Sequence, residues 1–259
     1  MTIEELADTK QAVTVQQDLH SAGLAELLWT GERLLPDCRG QILYEHLHRY
    51  IVAATLCRGK QVVDVACGTG YGSRYLAEHA SHVTGVDVDR TTIDWARQRY
   101  KKGNLAFLQG DCRQIPLRSQ SCDVVVSFET IEHFAEHEQF LSEIKRILRP
   151  KGLLIISTPD KDVYNETLTE PNEYHVKELH GVEFHELLRK YFGNVSLHGQ
   201  RYLEGSVIDG SPPHGLLERR KDFEIIDVEH PGKAKSKLTN PTYLIALASD
   251  VRLQPLSPS

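Results

Sequence analysis

The sequence predicts a doubly wound α/β fold: an open, mostly parallel sheet of seven strands, helices on both faces, and a helical cap ahead of it. Three observations carry this. Between residues 61 and 158, short β-branched runs alternate with helical patterns, the spacing expected of strand–helix–strand crossovers. The run Gln61-Val-Val-Asp-Val-Ala-Cys-Gly-Thr-Gly-Tyr-Gly-Ser73 leads from an apolar stretch through alternating glycines into a helical pattern. It reads as a buried strand, a tight turn and a helix start. Residues 42–57 place apolar side chains along one helical stripe and form a firm amphipathic helix.

Taken in order, residues 1 to about 20 are polar and weakly patterned and read as a loose arm, and Ser21 to Leu28 as a short helix. With the 42–57 helix they make an N-terminal arm and cap over 1–58. The main domain then fills 59–259. Strands are expected near 62–66, 83–87, 105–108, 123–128 and 152–158, with helices near 71–80, 90–101 and 136–148. Asp89 precedes Arg90-Thr-Thr as an N-cap, and Pro150-Lys-Gly152 is a turn ahead of the fifth strand. Val182 to Tyr191 is a further helix, and 195–199 and 243–248 are the last two strands. The segment between them, about 203–238, is rich in Gly, Pro, Lys and Asp and exceeds an ordinary hairpin loop. It is expected to be a substrate lid, with a strand at Phe223 to Val228 and a hinge at Gly210 to Gly215.

The glycine spacing selects the ligand. A dinucleotide fingerprint reads G-x-G-x-x-G and seats a pyrophosphate on a helix N-terminus. Here Gly68, Gly70 and Gly72 read G-x-G-x-G, and a carboxylate, Asp64, lies inside the strand end. An acid there repels a pyrophosphate but suits a cationic amine, directly or through water. S-adenosylmethionine carries an ammonium and a sulfonium and fits that electrostatic demand. A nicotinamide-dependent oxidoreductase on a similar sheet is the disfavoured alternative.

The same segment resembles motif I of the class I S-adenosylmethionine-dependent methyltransferases, and further stretches follow in matching order. Val83-Thr-Gly-Val-Asp-Val-Asp89 resembles the strand whose terminal acid, here Asp87, binds the ribose hydroxyls. Phe107 to Cys112 resembles the segment whose acid, here Asp111, accepts from the adenine amine. Cys122 to Phe134 resembles motif II, and Leu148 to Pro159 the turn and strand after it. The resemblance spans about residues 42–200. It implies a Rossmann-like sheet with an antiparallel last strand and S-adenosyl-L-methionine as cofactor. The cofactor residues it implies are Asp64, Ala66, Cys67, Gly68, Gly70, Tyr71, Asp87, Val88, Asp111, Cys112, Phe128 and Glu129. Asn172 to Glu178, with Glu32-Arg33, Glu45-His46 and His48-Arg49-Tyr50, further resembles methyltransferases of bacterial glycan and natural-product pathways. In that subgroup the N-terminal helix lies across the cofactor. His46 and Arg49 then either reach the ligand or form the solvated face of the helix. Asp160 departs from the Asn expected there.

Composition limits the partners. The net charge of −6 gives no support for nucleic-acid binding, which needs clustered Lys and Arg. The basic runs Arg219 to Lys221 and Lys233 to Lys237 are short and read as solvated loops. No apolar stretch approaches the ~20 residues of a membrane span, and the acidic N-terminus is unlike a signal peptide. The five scattered cysteines show no zinc or disulfide spacing and suit a reducing cytoplasm. The expected partner is a small-molecule acceptor, without nucleic acid or membrane; the oligomeric state stays open, a homodimer among the options.

Methyl transfer from a sulfonium is an in-line displacement, so the protein mostly positions the acceptor. An alcohol acceptor also needs its proton removed. His133 lies just past the fourth strand, where ligands of such sheets sit, and is the first base candidate. Its structural alternative is a cap for a helix beginning near Ala135. His175 is the second base candidate or a substrate contact. Residues 133–137 also match H-x-x-E-H, a zinc-protease pattern that would require one shared helix. Asp160-Lys-Asp162 sits where some catechol-type enzymes bind Mg²⁺, but two loop acids are more often solvated. No metal is expected. The function read from the sequence is methyl transfer to an oxygen, less readily a nitrogen, of a saccharide or natural product. The other alternative is a cofactor-binding regulatory homologue without turnover.

Overall fold

A computed structural model describes residues 40–166, 170, 172–202 and 240–253. Helix α1 spans Gln41–Cys57, followed by β1 (Gln61–Val65), α2 (Tyr71–Leu76), β2 (His82–Asp87), α3 (Arg90–Arg99), β3 (Leu105–Gln109) and β4 (Cys122–Ser127). A single 3-10 turn, Ile131–His133, leads to α4 (His137–Ile147), β5 (Leu148–Pro159), α5 (Lys161–Glu166), α6 (Gly181–Arg189), β6 (Asn194–Gln200) and β7 (Tyr243–Ser249). The seven strands lie in the order β3-β2-β1-β4-β5-β7-β6. The first five are parallel neighbours, and β7 runs antiparallel to both β5 and β6. The order turns back between β1 and β4, where a ligand crevice opens beyond the carboxyl ends of the strands.

Period-two alternation builds both faces. Val62, Val124, Val126, Ile155 and Leu247 pack with Leu43, Tyr50, Ala53 and Cys57 of α1 and Leu76 of α2. Their neighbours Val63, Val65, Val125, Leu154 and Ile156 pack on the other face with Phe140, Leu141, Ile144 and Ile147 of α4 and Phe184 and Leu188 of α6. Because helices cover both faces, β1 is apolar at successive positions rather than at every second one. Each such Leu, Ile or Phe contributes about 1.5–3 kcal/mol on burial. Helix α3 closes a third cluster, in which Ile93 and Ala96 meet Cys67 and Phe107.

Some boundaries differ from the sequence reading. The expected turn at Pro150 to Gly152 lies inside β5, which already pairs Leu148 with Cys122 before a register shift brings Leu153 opposite Val124. Lys151 at φ 68 marks the irregularity, an insertion the ladder absorbs as a bulge. Helix α2 stops at Leu76 rather than near residue 80, and Asn104 Nδ2 then donates to the carbonyls of Ala77 and Ala80 at 2.8 and 3.1 Å. Asp89 caps α3 as expected, accepting from Thr91 N at 3.0 Å. The 21–28 helix, the basic runs, the 223–228 strand, the 210–215 hinge and most of the expected lid lie outside the described residues. Among the described residues no helix is long and apolar enough to cross a membrane. Cys57, Cys67, Cys112 and Cys122 are free thiols.

Candidate active site

The glycine turn after β1 is a run of left-handed backbone. Ala66, Gly68 and Gly70 have φ of 58, 52 and 79, a region that glycine enters without strain. The turn is closed by Gly70 N donating to Cys67 O and anchored by Cys67 N donating to Val86 O, each at 3.0 Å. Close approach to a ligand is not what the structure shows at Gly70 and Gly72. A Cβ on Gly70 would lie 2.5 Å from Phe107 Cε1, and one on Gly72 would lie 2.0 Å from Tyr50 Cζ. These glycines let α2 sit against its own core.

Asp64 is fully buried. Its Oδ2 accepts from Ser73 Oγ at 2.6 Å, and Tyr50 Oη lies 3.2 and 3.3 Å from its two oxygens. The carboxyl thus ties β1 to α1 and α2. Burial raises it to about 7, against the two hydrogen bonds, with a further push from Asp87. Asp87, at the end of β2, accepts from Gly68 N at 2.8 Å on one oxygen and from Asp89 N at 3.0 Å on the other. Two backbone amides therefore hold the carboxylate at the mouth of the glycine turn. Val88 beside it is 65% exposed, an apolar surface at the crevice edge. Asp111 follows β3, next to β2 in the sheet. Arg113 grips it with Nη2 at 2.7 Å and holds its carboxyl below the usual range. Cys112 is half-buried, and burial pushes its thiol up to about 12.

Tyr71 and Phe128 are buried against Tyr50, edge-on at 5.5 and 5.0 Å between centroids. Tyr71 Oη lies 3.0 Å from His46 Nδ1. Glu129, with φ 50, follows β4 and accepts from Ser157 Oγ at 2.5 Å. It also faces Arg49 Nη1 at 3.6 Å. Arg49 is not on a solvated helix face: it is 2% exposed. Its Nη1 donates to Gln200 Oε1 at 2.8 Å, its guanidinium lies 4.8 Å from the Tyr243 ring centroid, and Nε and Nη2 have no partner among the described residues.

His133 and His175 meet. Their ring centroids are 5.2 Å apart, nearly perpendicular, although 41 positions separate Tyr174 from His133 in the chain. Each ring bonds an acceptor through Nδ1: the Tyr174 carbonyl at 3.1 Å for His133, and Glu178 Oε1 at 2.6 Å for His175. Since those partners only accept, Nδ1 carries the proton in the neutral ring and the lone pair sits on Nε2. Val176 N and Lys177 N donate to the Glu132 carbonyl at 2.9 and 3.0 Å, stitching 175–177 onto the 3-10 turn. The Tyr164 ring stacks on His175 at 5.2 Å. His133 caps no helix, because α4 begins at His137 with Glu136 as its cap residue.

The H-x-x-E-H reading fails on geometry. His133 closes the 3-10 turn, Glu136 pairs with Arg113 at 3.2 Å, and His137 opens α4 with its side chain buried. The three do not share one helix. Asp160 caps the first turn of α5 through Asp162 N at 3.1 Å, and Asp162 faces His180 at 3.0 Å.

Sequence reasoning missed Glu132. It is 1% exposed, accepts from Thr158 Oγ1 at 3.2 Å through Oε2, and has no partner for Oε1 among the described residues. Burial, with Glu129 beside it, pushes its carboxyl well above the usual range. A polar residue next to His133 in a loop carries no sequence signal of burial.

Comparison with known proteins agrees with this geometry. The family described as a methyltransferase domain matches residues 63–156. A "probable S-adenosylmethionine-dependent methyltransferase" of Mycolicibacterium smegmatis is 36% identical over 211 residues, covering 76% of this chain and 81% of that one. A phthiotriol/phenolphthiotriol dimycocerosates methyltransferase of Mycobacterium ulcerans is 35% identical over 115 residues, 43% of this chain and 42% of its own. Among solved structures, a methyltransferase of Thermotoga maritima titled a possible histamine N-methyltransferase shares the fold. Its TM-score is 0.57 at 18% identity, over 81% of this chain and 92% of its own. With a doubly wound sheet, a glycine turn and an acid at the end of β2, and with a relative this similar over most of both chains, this chain belongs to the S-adenosylmethionine-dependent methyltransferases.

Proposed function

We propose that the chain methylates a hydroxyl oxygen of a small polyhydroxylated acceptor, a saccharide or natural product, with His133 as the base. The observation that supports it is the convergence of His133 and His175 near the carboxyl ends of β4 and β5, each with Nδ1 engaged. The bound cofactor supplies an electrophilic methyl group on a sulfonium. The residues present suit it. Asp87 offers two oriented oxygens to a diol, Val88 an apolar edge for a base, and Asp111 keeps acceptor capacity beyond its bonds to Arg113.

An alcohol attacks poorly until its proton is leaving, so the acceptor end needs a base held in one tautomer. The Tyr174 carbonyl does this for His133, and Glu178 does it for His175. The Tyr164 ring stacked on His175 adds a phenol hydroxyl that suits a hydroxylated acceptor. The M. ulcerans relative, named for a triol, is in keeping with an alcohol. The test is His133→Ala with labelled cofactor and a panel of sugars, phenols and polyketide-like acceptors. Turnover should fall by roughly 10²–10⁴-fold with S-adenosylhomocysteine affinity unchanged, and the residual rate should climb with pH. A variant within about threefold of the parent removes His133 from the role and moves the reading towards His175 or an amine acceptor. Calorimetry that found NADH bound and the adenosyl ligands not bound would overturn the cofactor pocket itself.

A further inference from the structure

Three side chains converge beside the crevice with a composition that proton transfer alone does not require. The ligand atoms of Glu132, His133 and His175 all lie within 4.8 Å of one another. We propose that these three residues form a binding site for a divalent transition-metal cation of the zinc or ferrous class.

The donor set selects the class. Two imidazoles and one carboxylate make the three-ligand arrangement of open zinc sites and of non-haem iron sites. Calcium and magnesium prefer all-oxygen shells. Tetrahedral zinc with bonds of about 2.0–2.2 Å holds its ligand atoms roughly 3.4 Å apart, so side-chain rotations of about 1 Å complete the site.

The surroundings are those of a coordinating set. Both histidines engage Nδ1 with an acceptor, one a backbone carbonyl and one a carboxylate, which directs Nε2 as the coordinating nitrogen. Such outer partners orient metal-binding imidazoles and raise their basicity. The third ligand supplies an independent observation. Glu132 is 1% exposed, its Oε2 is held by Thr158, and Oε1 is buried with no partner among the described residues. A buried carboxylate oxygen left in this way is costly unless it coordinates or bonds something. Of the charges that act on Glu132, Glu129 repels a negative charge there and Arg49 attracts one. A cation relieves the first, and Glu178 behind His175 adds a further negative charge. The backbone holds the geometry, because Val176 N and Lys177 N donate to the Glu132 carbonyl and so fix His175 against the turn that carries the other two ligands.

Coordination takes the same Nε2 lone pair that the base role of His133 uses, so the two belong to different forms of the protein: the metal-free form carries the base, and the metal-bound form lacks it. The site itself rests on no step of methyl transfer. Calorimetry reads binding without turnover, and its failure would leave the methyl-transfer reading standing. The full-length protein, stripped with EDTA and dialysed, is titrated with zinc chloride and separately with cobalt chloride. One equivalent of zinc should bind with a Kd of roughly 10 µM or tighter. Cobalt should show the visible bands of a four- or five-coordinate ion. Glu132→Gln and His175→Ala should each weaken zinc binding about 10–100-fold. His175→Ala, a change in a loop, provides the second variant should the buried Gln misfold. No saturable binding below roughly 100 µM, or an affinity unchanged in both variants, overturns the site.

Discussion

Asp64→Asn should reverse part of the pH dependence of folding. Asp64 is fully buried with donors from Ser73 and Tyr50, and burial raises its carboxyl from 3.8 to about 7. The folded pKa lies above the unfolded one, so between about pH 4 and 7 the native state binds more protons than the unfolded chain. Stability from this group is therefore fully present below pH 4, falls as pH rises to about 7, and is flat above that. At 1.36 kcal/mol per unit, the roughly two units between pH 5 and 7 correspond to about 3 kcal/mol. Asparagine keeps the shape and the acceptor but sets an amide N–H₂ against the Ser73 and Tyr50 hydroxyls, which must turn from donating to accepting. That adds a pH-independent cost of about 1–3 kcal/mol. Urea unfolding of parent and variant, without cofactor, at pH 5, 6, 7 and 8 isolates the difference, since every other group cancels. The variant should gain on the parent by about 3 kcal/mol from pH 5 to pH 8, nearly all of it before pH 7.5. A difference constant within about 0.5 kcal/mol would mean that Asp64 ionises normally in the folded chain, and that water or a cation reaches it.

Two other perturbations follow from the same geometry. Asp87→Ala should weaken S-adenosylhomocysteine binding by about 1–3 kcal/mol, read by calorimetry, because the variant loses the carboxylate that Gly68 N and Asp89 N now orient. Parent-like affinity would remove Asp87 from the pocket. Gly70→Val should cost about 2–5 kcal/mol of folding stability in urea. It forces a branched residue to φ 79 and its Cβ to 2.5 Å from Phe107. A variant that folded normally but lost only ligand affinity would restore the view that this glycine serves ligand approach.

The sequence was enough for the sheet and for the acids along its edge. Valine and isoleucine runs bounded by glycines have few alternatives to buried strands, and the helices between them force parallel neighbours. Asp87 and Asp111 follow from strand ends, which local pattern marks. The G-x-G-x-G spacing likewise marked the turn, although its reason proved partly internal: Gly70 and Gly72 make room for Phe107 and Tyr50. That reason depends on which distant ring packs there, and no local pattern reports it.

What the tertiary structure alone decided lies where remote segments meet. His133 was legible as a polar residue past the fourth strand and His175 as a second candidate in a loop, but their contact follows from Val176 and Lys177 pairing with the Glu132 carbonyl. Arg49 reads as a solvated position in a helical wheel and is buried, because β6 and β7 bring Gln200 and Tyr243 over it. Asp64 reads as an acid offered to a ligand and is instead enclosed by Tyr50 and Ser73. The sequence by itself determined the class of fold, the cofactor and the elements that end at the crevice, since period, glycine spacing and charge are local quantities. The ionisation of Asp64 and Glu132, the tautomers of His133 and His175, and the meeting of three potential ligands depend on solvent exclusion and on partners far apart in the chain. Only the folded packing sets those.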